Sequence, residues 1–199
     1  PLLDGDELGF NAILEFKNAQ LSKQTWKEYP FEQIVYNEHV NVFVEGYIYN
    51  IEIANYLSAI IKLLKSSSFK ELAELIKSFD GEFVLIVVDS ELDEVYFIND
   101  GWGRLPCYVE NQNNQLVITR NIDFLIAHNK SSYNKLALSF SLLFGYTIGN
   151  ETIWENVMRL PPNSILVADA LTGDIKIEEF FHFDEISGSS TVIEKLDSL

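Results

Sequence analysis

Glu45-Gly46 and Asp80-Gly81 are two acidic–glycine pairs of this sequence that flank its most apolar stretches. A carboxylate can grip an amine or another cation, and a glycine beside it lets the backbone approach closely. Each pair also has a plainer reading. Asp-Gly serves a turn into a strand without any ligand, and Glu45 reads equally as a solvated carboxylate at a strand end. Other chemistry is sparse. Cys107 is the only thiol. His39, His128 and His182 stand apart with no metal-ligand spacing between them, so no metal site is expected. Gly101-Trp102-Gly103 lacks the third glycine and the following helix of a phosphate loop. Trp102, Trp154, Tyr108 and Tyr146 read as core aromatics.

The elements that must position these residues centre on Phe79–Asp89. An acidic–glycine turn there runs directly into six apolar residues, most of them β-branched, as in a strand buried on both faces. Before it, Phe10–Phe16, Phe31–Tyr36 and Val40–Val44 read as strands, and Leu21–Pro30 as a connector. Helical spacing runs from Ile51 to Leu64. A second helix follows Ser68 as N-cap and carries Phe69, Leu72, Ala73 and Ile76 on one face. After Asp89, strands are expected at Val95–Ile98, Leu105–Val109, Leu116–Thr119, Ile165–Ala168 and Ile175–Phe181. Helices are expected at Ile122–His128, Tyr133–Phe144 and Thr191–Leu199. Eight or nine antiparallel strands with clustered helices make an α+β protein whose sheets are covered by helices.

The bulk numbers narrow the function. A hydrophobic share of 47% against 22% charged residues describes a globular chain. A net charge of −16 argues against nucleic acid and anionic membranes as partners, since both call for cationic surface. One cysteine allows no intrachain disulfide, the first residues are acidic where a secretion signal is basic, and no apolar run reaches membrane length. The expected location is cytoplasmic.

From Val40 to Asp184 the order of motifs resembles the glutamine amidotransferase domain of asparagine synthetases. A strand leads into Glu45-Gly46-Tyr47-Ile48-Tyr49-Asn50, similar to that family's Asn-Gly-Glu-Ile-Tyr-Asn. Two helices precede Phe79-Asp80-Gly81-Glu82-Phe83-Val84. Asp100-Gly101-Trp102-Gly103-Arg104-Leu105-Pro106-Cys107-Tyr108 resembles the Asp-x-x-Gly-x-x-Pro-Leu-Tyr loop. The segment Gly145 to Trp154 resembles Gly-Tyr-x-x-Gly-x-x-Thr-Ile-Phe, and Leu160-Pro161-Pro162-Asn163 resembles Leu-Pro-Pro-Gly. The resemblance implies a four-layer αββα sandwich of two antiparallel sheets, the N-terminal-nucleophile (Ntn) hydrolase fold. It divides the chain into a lead-in at residues 1–9, an amidotransferase-like domain at 10–185, and a linker with the start of a following synthetase domain at 186–199. Arg104 and Arg159 lie within its motifs and are expected to pair with carboxylates.

The family's chemistry is hydrolysis of the glutamine side-chain amide. It uses an N-terminal Cys whose own amine is the base, an oxyanion hole from the Asn side chain and Gly backbone of the Asn-Gly-Glu turn, an Arg for the substrate carboxylate, and the Asp of the Asp-Gly turn for its amine. Here Asn11 aligns with the Cys position, Glu45 replaces the oxyanion Asn, and no Arg occurs from residue 17 to 35; Gly46 and Asp80 are kept. The resemblance therefore implies a degenerate site with no catalytic residues and a remnant pocket at Glu45, Gly46 and Asp80. The domain would be a scaffold for an ATP-dependent amide-forming domain, in asparagine synthetases or relatives such as lasso-peptide cyclases. The expected partners are that following domain and a second copy in a homodimer. No cofactor is expected in this domain, with ATP and Mg confined to the synthetase part; Ser187-Gly188-Ser189-Ser190 only superficially resembles a pyrophosphate loop and reads as linker. Two other readings remain open, a free-standing ligand-binding or regulatory module, and an active glutamine-hydrolysing amidotransferase with a different true N-terminus.

Overall fold

A computed structural model describes residues 11–23, 28–112, 115–128 and 132–180. The Thr191–Leu199 helix, the Ser187–Ser190 linker, the 1–9 lead-in and His182 lie outside them. The protein is α+β, with antiparallel sheets and few helices.

The strand expected from Phe79 to Asp89 is β5, Gly81–Asp89, at the heart of a six-stranded sheet. Its neighbours are β4 (Val40–Ile48) and β6 (Glu94–Asn99). Beyond β4 lies β3 (Phe31–Val35), and beyond β6 lie β10 (Ser164–Asp169) and β11 (Ile175–Glu179). Every pairing is antiparallel. Acidic turns close the hairpins. The Asp89 carboxylate accepts the Glu91 and Leu92 backbone N–H groups after β5, and Asp169 does the same for Leu171 and Thr172 after β10.

Both faces of β5 are buried, because its side chains alternate into two separate clusters. Phe83, Leu85 and Val87 join Val42 and Val44 against helices α1 (Leu57–Lys65) and α2 (Phe69–Lys77). The helices present Leu57, Ile60, Ile61 and Leu64, and Leu72, Ala73 and Ile76, at the three- and four-residue spacing of a single helix face. Val84, Ile86 and Val88 point the other way, with Phe43 and Phe97, into a second layer. That layer contains a three-stranded sheet of β7 (Tyr108–Gln112), β8 (Gln115–Thr119) and β9 (Val157–Arg159), and a separate hairpin of β1 (Asn11–Phe16) and β2 (Ala19–Lys23). Helices α3 (Ile122–His128) and α4 (Lys135–Phe144) follow β8. Helices over a large sheet, itself over smaller sheets, form a layered sandwich.

Several local expectations change. The described strands number eleven, and the second layer is divided into two sheets rather than one. β2 runs three residues into the stretch expected to be connector, because Leu21 packs into the inter-sheet core opposite Leu14. The strand expected at Leu105–Val109 begins at Tyr108 instead, since Pro106 has no N–H for a ladder. α1 starts at Leu57, after a short 3-10 turn at Ile53–Asn55. Ser68 occupies the N-cap of α2 but its side chain makes no capping bond there, because its hydroxyl meets Ser66.

Candidate functional site

Three segments converge at the end of β4. Glu45 sits opposite Phe31 of β3 and Val84 of β5, which turns its side chain toward the inter-sheet layer. It is only 7% exposed. Its Oε1 accepts the Arg120 Nε–H at 3.0 Å and the hydroxyl of Tyr29. Arg120 directly follows β8, and its Nη1 donates to the Pro106 carbonyl. The sequence expectation of a solvated Glu45 is thus corrected. A carboxylate held this far from water needs a cation, and the facing sheet supplies it.

The electrostatics follow from this packing. Burial lowers the Arg120 pKa, but the Glu45 charge and hydrogen bond outweigh that and hold it above its ordinary value. Burial, helped by Glu45 as acceptor and as charge, pushes the Tyr29 hydroxyl up to about 12. Cys107 lies in the same layer with its thiol buried, and burial pushes its pKa up to about 12. The thiol is therefore neutral near pH 7 and is no nucleophile in the folded protein.

Gly46 adopts φ +91, and a Cβ there would fall 2.1 Å from the Glu82 carbonyl oxygen and 2.8 Å from Leu105 Cδ1. Only glycine fits. Its N–H donates to the Pro30 carbonyl at 2.9 Å. An open cleft of about 380 Å³ lies beside it, lined by Tyr29, Pro30, Phe31, Val44, Gly46 and Tyr47 among others. Neither Glu45 nor Asp80 faces that cleft.

Asp80 is exposed and lies apart from Glu45. Its carbonyl accepts the Tyr49 N–H at 2.7 Å, which puts it about 13 Å along the strand from Glu45 at ~3.3 Å per residue. Its backbone N–H is held by the Asn50 side chain, which also donates to the Ser78 carbonyl. These bonds are turn architecture. The structure brings Glu45 and Gly46 together as neighbours and leaves Asp80 outside their contact.

The Asp100–Arg104 loop is organised by a buried carboxylate. Asp100 accepts the Trp102 and Arg104 backbone N–H groups on its two oxygens, and its carbonyl accepts those of Gly103 and Asn163. The Trp102 and Arg104 N–H groups of the loop are thus committed to a carboxylate, and that of Gly103 to a carbonyl. Arg104 and Arg159 donate to the carbonyls of Gly81 and Gly103, not to the expected carboxylates. Trp102 and Tyr146 are 61% and 65% exposed, so neither is core, while Tyr108 and Trp154 are half-buried. His39 is an exposed residue of the β3–β4 turn. Among the described residues no three His, Cys, Asp or Glu side chains could hold a metal, and no helix is long and apolar enough to cross a membrane.

Sequence reasoning missed Arg120 and Tyr29. The available signal was scarcity. The chain has three arginines, and the two others lie in recognisable motifs, which left Arg120 as the arginine with no assigned partner. No individually curated protein matches this sequence. A family model for the glutamine amidotransferase domain matches residues 30–181, from the residue before β3 to just past β11. That span is most of the chain, and the protein belongs to the glutamine amidotransferase domain family.

Proposed function

We propose that this is a glutamine amidotransferase-like domain of an asparagine-synthetase-related protein, without glutaminase activity, that acts as a scaffold for an ATP-dependent amide-forming domain. The carrying observation is the state of the two positions that the motif resemblance equates with the oxyanion donors. The Gly46 N–H is bonded to Pro30, and Glu45 presents a carboxylate, already engaged by Arg120 and Tyr29, where a donor is required. Losing a single oxyanion donor costs about 10²–10³-fold in rate. Here both are spent on internal bonds, and the chain's only thiol is buried and neutral. The layered sandwich supports the Ntn-hydrolase reading, with α1 and α2 as one outer layer over the six-stranded sheet and the smaller sheets on its other face. The alternative of an active enzyme with a different N-terminus is disfavoured, because a restored Cys would repair neither donor.

The test is release of glutamate and ammonia from L-glutamine by the purified chain at pH 7–8. We expect none above a buffer blank. Sustained turnover that follows protein concentration would overturn the proposal.

A further inference from the structure

The helix layer covers only part of the large sheet. α1 and α2 pack over β4, β5 and β6. Toward β10 and β11 the same face opens into a groove of about 530 Å³ beside the first turn of α2. Val167 is its floor, and Phe69 and Phe180 flank it; all three are half-buried and pack on the edge of the helix-side core.

Carboxylates stand at both ends of this groove. Asp169 sits opposite Glu94 of β6, and its N–H donates to the Asp174 carbonyl, so three acidic residues gather at one end. Glu178 stands at the other end, opposite Ile165. The four-residue step from Ile165 to Asp169 along β10 separates the ends by about 13 Å at ~3.3 Å per residue. Among the described residues no lysine or arginine forms an ion pair with Glu94, Asp169 or Asp174. The Thr172 and Leu171 backbone N–H groups hold the Asp169 pKa below its ordinary value, so its charge persists at neutral pH. Like charges gathered on an apolar floor repel, and a cation between them removes the repulsion. A metal ion does not fit, since no three acidic, His or Cys side chains among the described residues could hold one.

The Glu178 end shows which cation suits the groove. Lys176 lies opposite Val167, and its Nζ is 5.6 Å from the centroid of the Phe69 ring and 2.7 Å from Glu178 Oε1. The chain thus already places an alkylammonium over the ring and against the carboxylate, a cation–π arrangement. The Lys176 side chain is 66% exposed and is free to swing into solvent and give up that place.

We propose that this groove binds a linear polyamine. One terminal ammonium lies among Glu94, Asp169 and Asp174, the methylenes run along Val167, and the other ammonium takes the place of Lys176 between Phe69 and Glu178. With zigzag bonds of about 1.5 Å, extended spermidine spans about 11 Å between its end nitrogens and putrescine only about 6 Å, so spermidine matches the groove and putrescine reaches one end. The site is separate from Glu45 and Gly46, and its test does not depend on whether the chain hydrolyses glutamine.

Isothermal titration calorimetry of the 199-residue chain with spermidine, at about 0.05 M salt to limit screening, is expected to show one site with a dissociation constant below about 1 mM. Putrescine should bind at least about 5-fold more weakly. Glu178→Gln and Asp174→Asn should each weaken spermidine about 5-fold, while Lys176→Met, which removes the competing ammonium, should tighten it about 5-fold. Glu52→Gln and Lys62→Met, at exposed positions outside the groove, change the net charge by the same amounts and should leave the affinity within about 2-fold. Absence of binding at millimolar spermidine would overturn the proposal. So would equal affinity for putrescine, a Lys176→Met chain that binds no tighter, or equal responses to groove and control substitutions, the mark of diffuse attraction to an acidic chain.

Discussion

Removing Arg120 tests the account of Glu45 most directly. Arg120→Met deletes the cation 3.0 Å from a carboxylate that is 7% exposed, and leaves Glu45 with the Tyr29 hydroxyl as its named partner. Breaking a fully buried ion pair by removing one member costs about 3–5 kcal/mol. The Arg120 side chain keeps 28% of its exposure, so water softens the loss, and about 2–3 kcal/mol is expected. At about 2–4 °C per kcal/mol for a chain of this size, Tm should fall by about 5–10 °C. Glu45→Gln strands the guanidinium instead but keeps a neutral acceptor, and should cost about 1–2 kcal/mol. The double variant E45Q/R120M leaves neither charge buried alone. It should be more stable than the sum of the single changes predicts, by about 1 kcal/mol or more. Urea denaturation followed by circular dichroism and tryptophan fluorescence gives each value. The reasoning fails if Arg120→Met stays within about 0.5 kcal/mol of wild type, the range of an ordinary surface substitution, or if the two changes simply add.

Two further outcomes follow from the same layer. Gly46→Ala puts a methyl group 2.1 Å from the Glu82 carbonyl at a positive φ, so we expect little soluble folded protein or a stability loss above about 3 kcal/mol, measured by the same denaturation. Cys107 should resist Ellman's reagent in the folded protein at pH 8 and react at the rate of unfolding, with denaturant accelerating it; its pKa is raised from 9.0 to about 12 by burial, so the associated stability is complete below pH 9 and lost as pH rises toward 12. Fast, denaturant-independent labelling would refute the burial.

Much of the fold was legible because one pattern dominated it. Six consecutive apolar residues after Asp80-Gly81 demanded protein on both faces of β5, and both clusters are present. The periodicity of α1 and α2 translated just as directly into buried faces. Short strands were harder. β9 has three residues, and its place is set by pairing with β7, about fifty positions earlier in the chain, which no local pattern reveals. The site was half legible. Glu45, Gly46 and Asp80 stood out by residue type and motif position, but the partner that decides the behaviour of Glu45 lies 75 residues away on another sheet. Read locally, Glu45 is a strand-end acid; in the fold it is one half of a neutralised pair. Aromatic residues misled for the opposite reason. Trp102 and Tyr146 have the bulk of core residues, but each sits exposed in a loop, that of Trp102 tied down by the Asp100 carboxylate.

The Glu45–Arg120 pair also shapes which sequences this protein can reach by single steps. A change of Glu45 to the asparagine found in related motifs would leave the Arg120 guanidinium facing a neutral amide in a half-buried layer, and a change of Arg120 alone would strand the carboxylate. Each single change leaves one charge of a part-buried pair without its partner. Pro30 must also release the Gly46 N–H before that group could serve a ligand. Exchange of the pair for an uncharged one therefore calls for two substitutions 75 residues apart to arrive together, while changes that leave the pair intact remain free to accumulate.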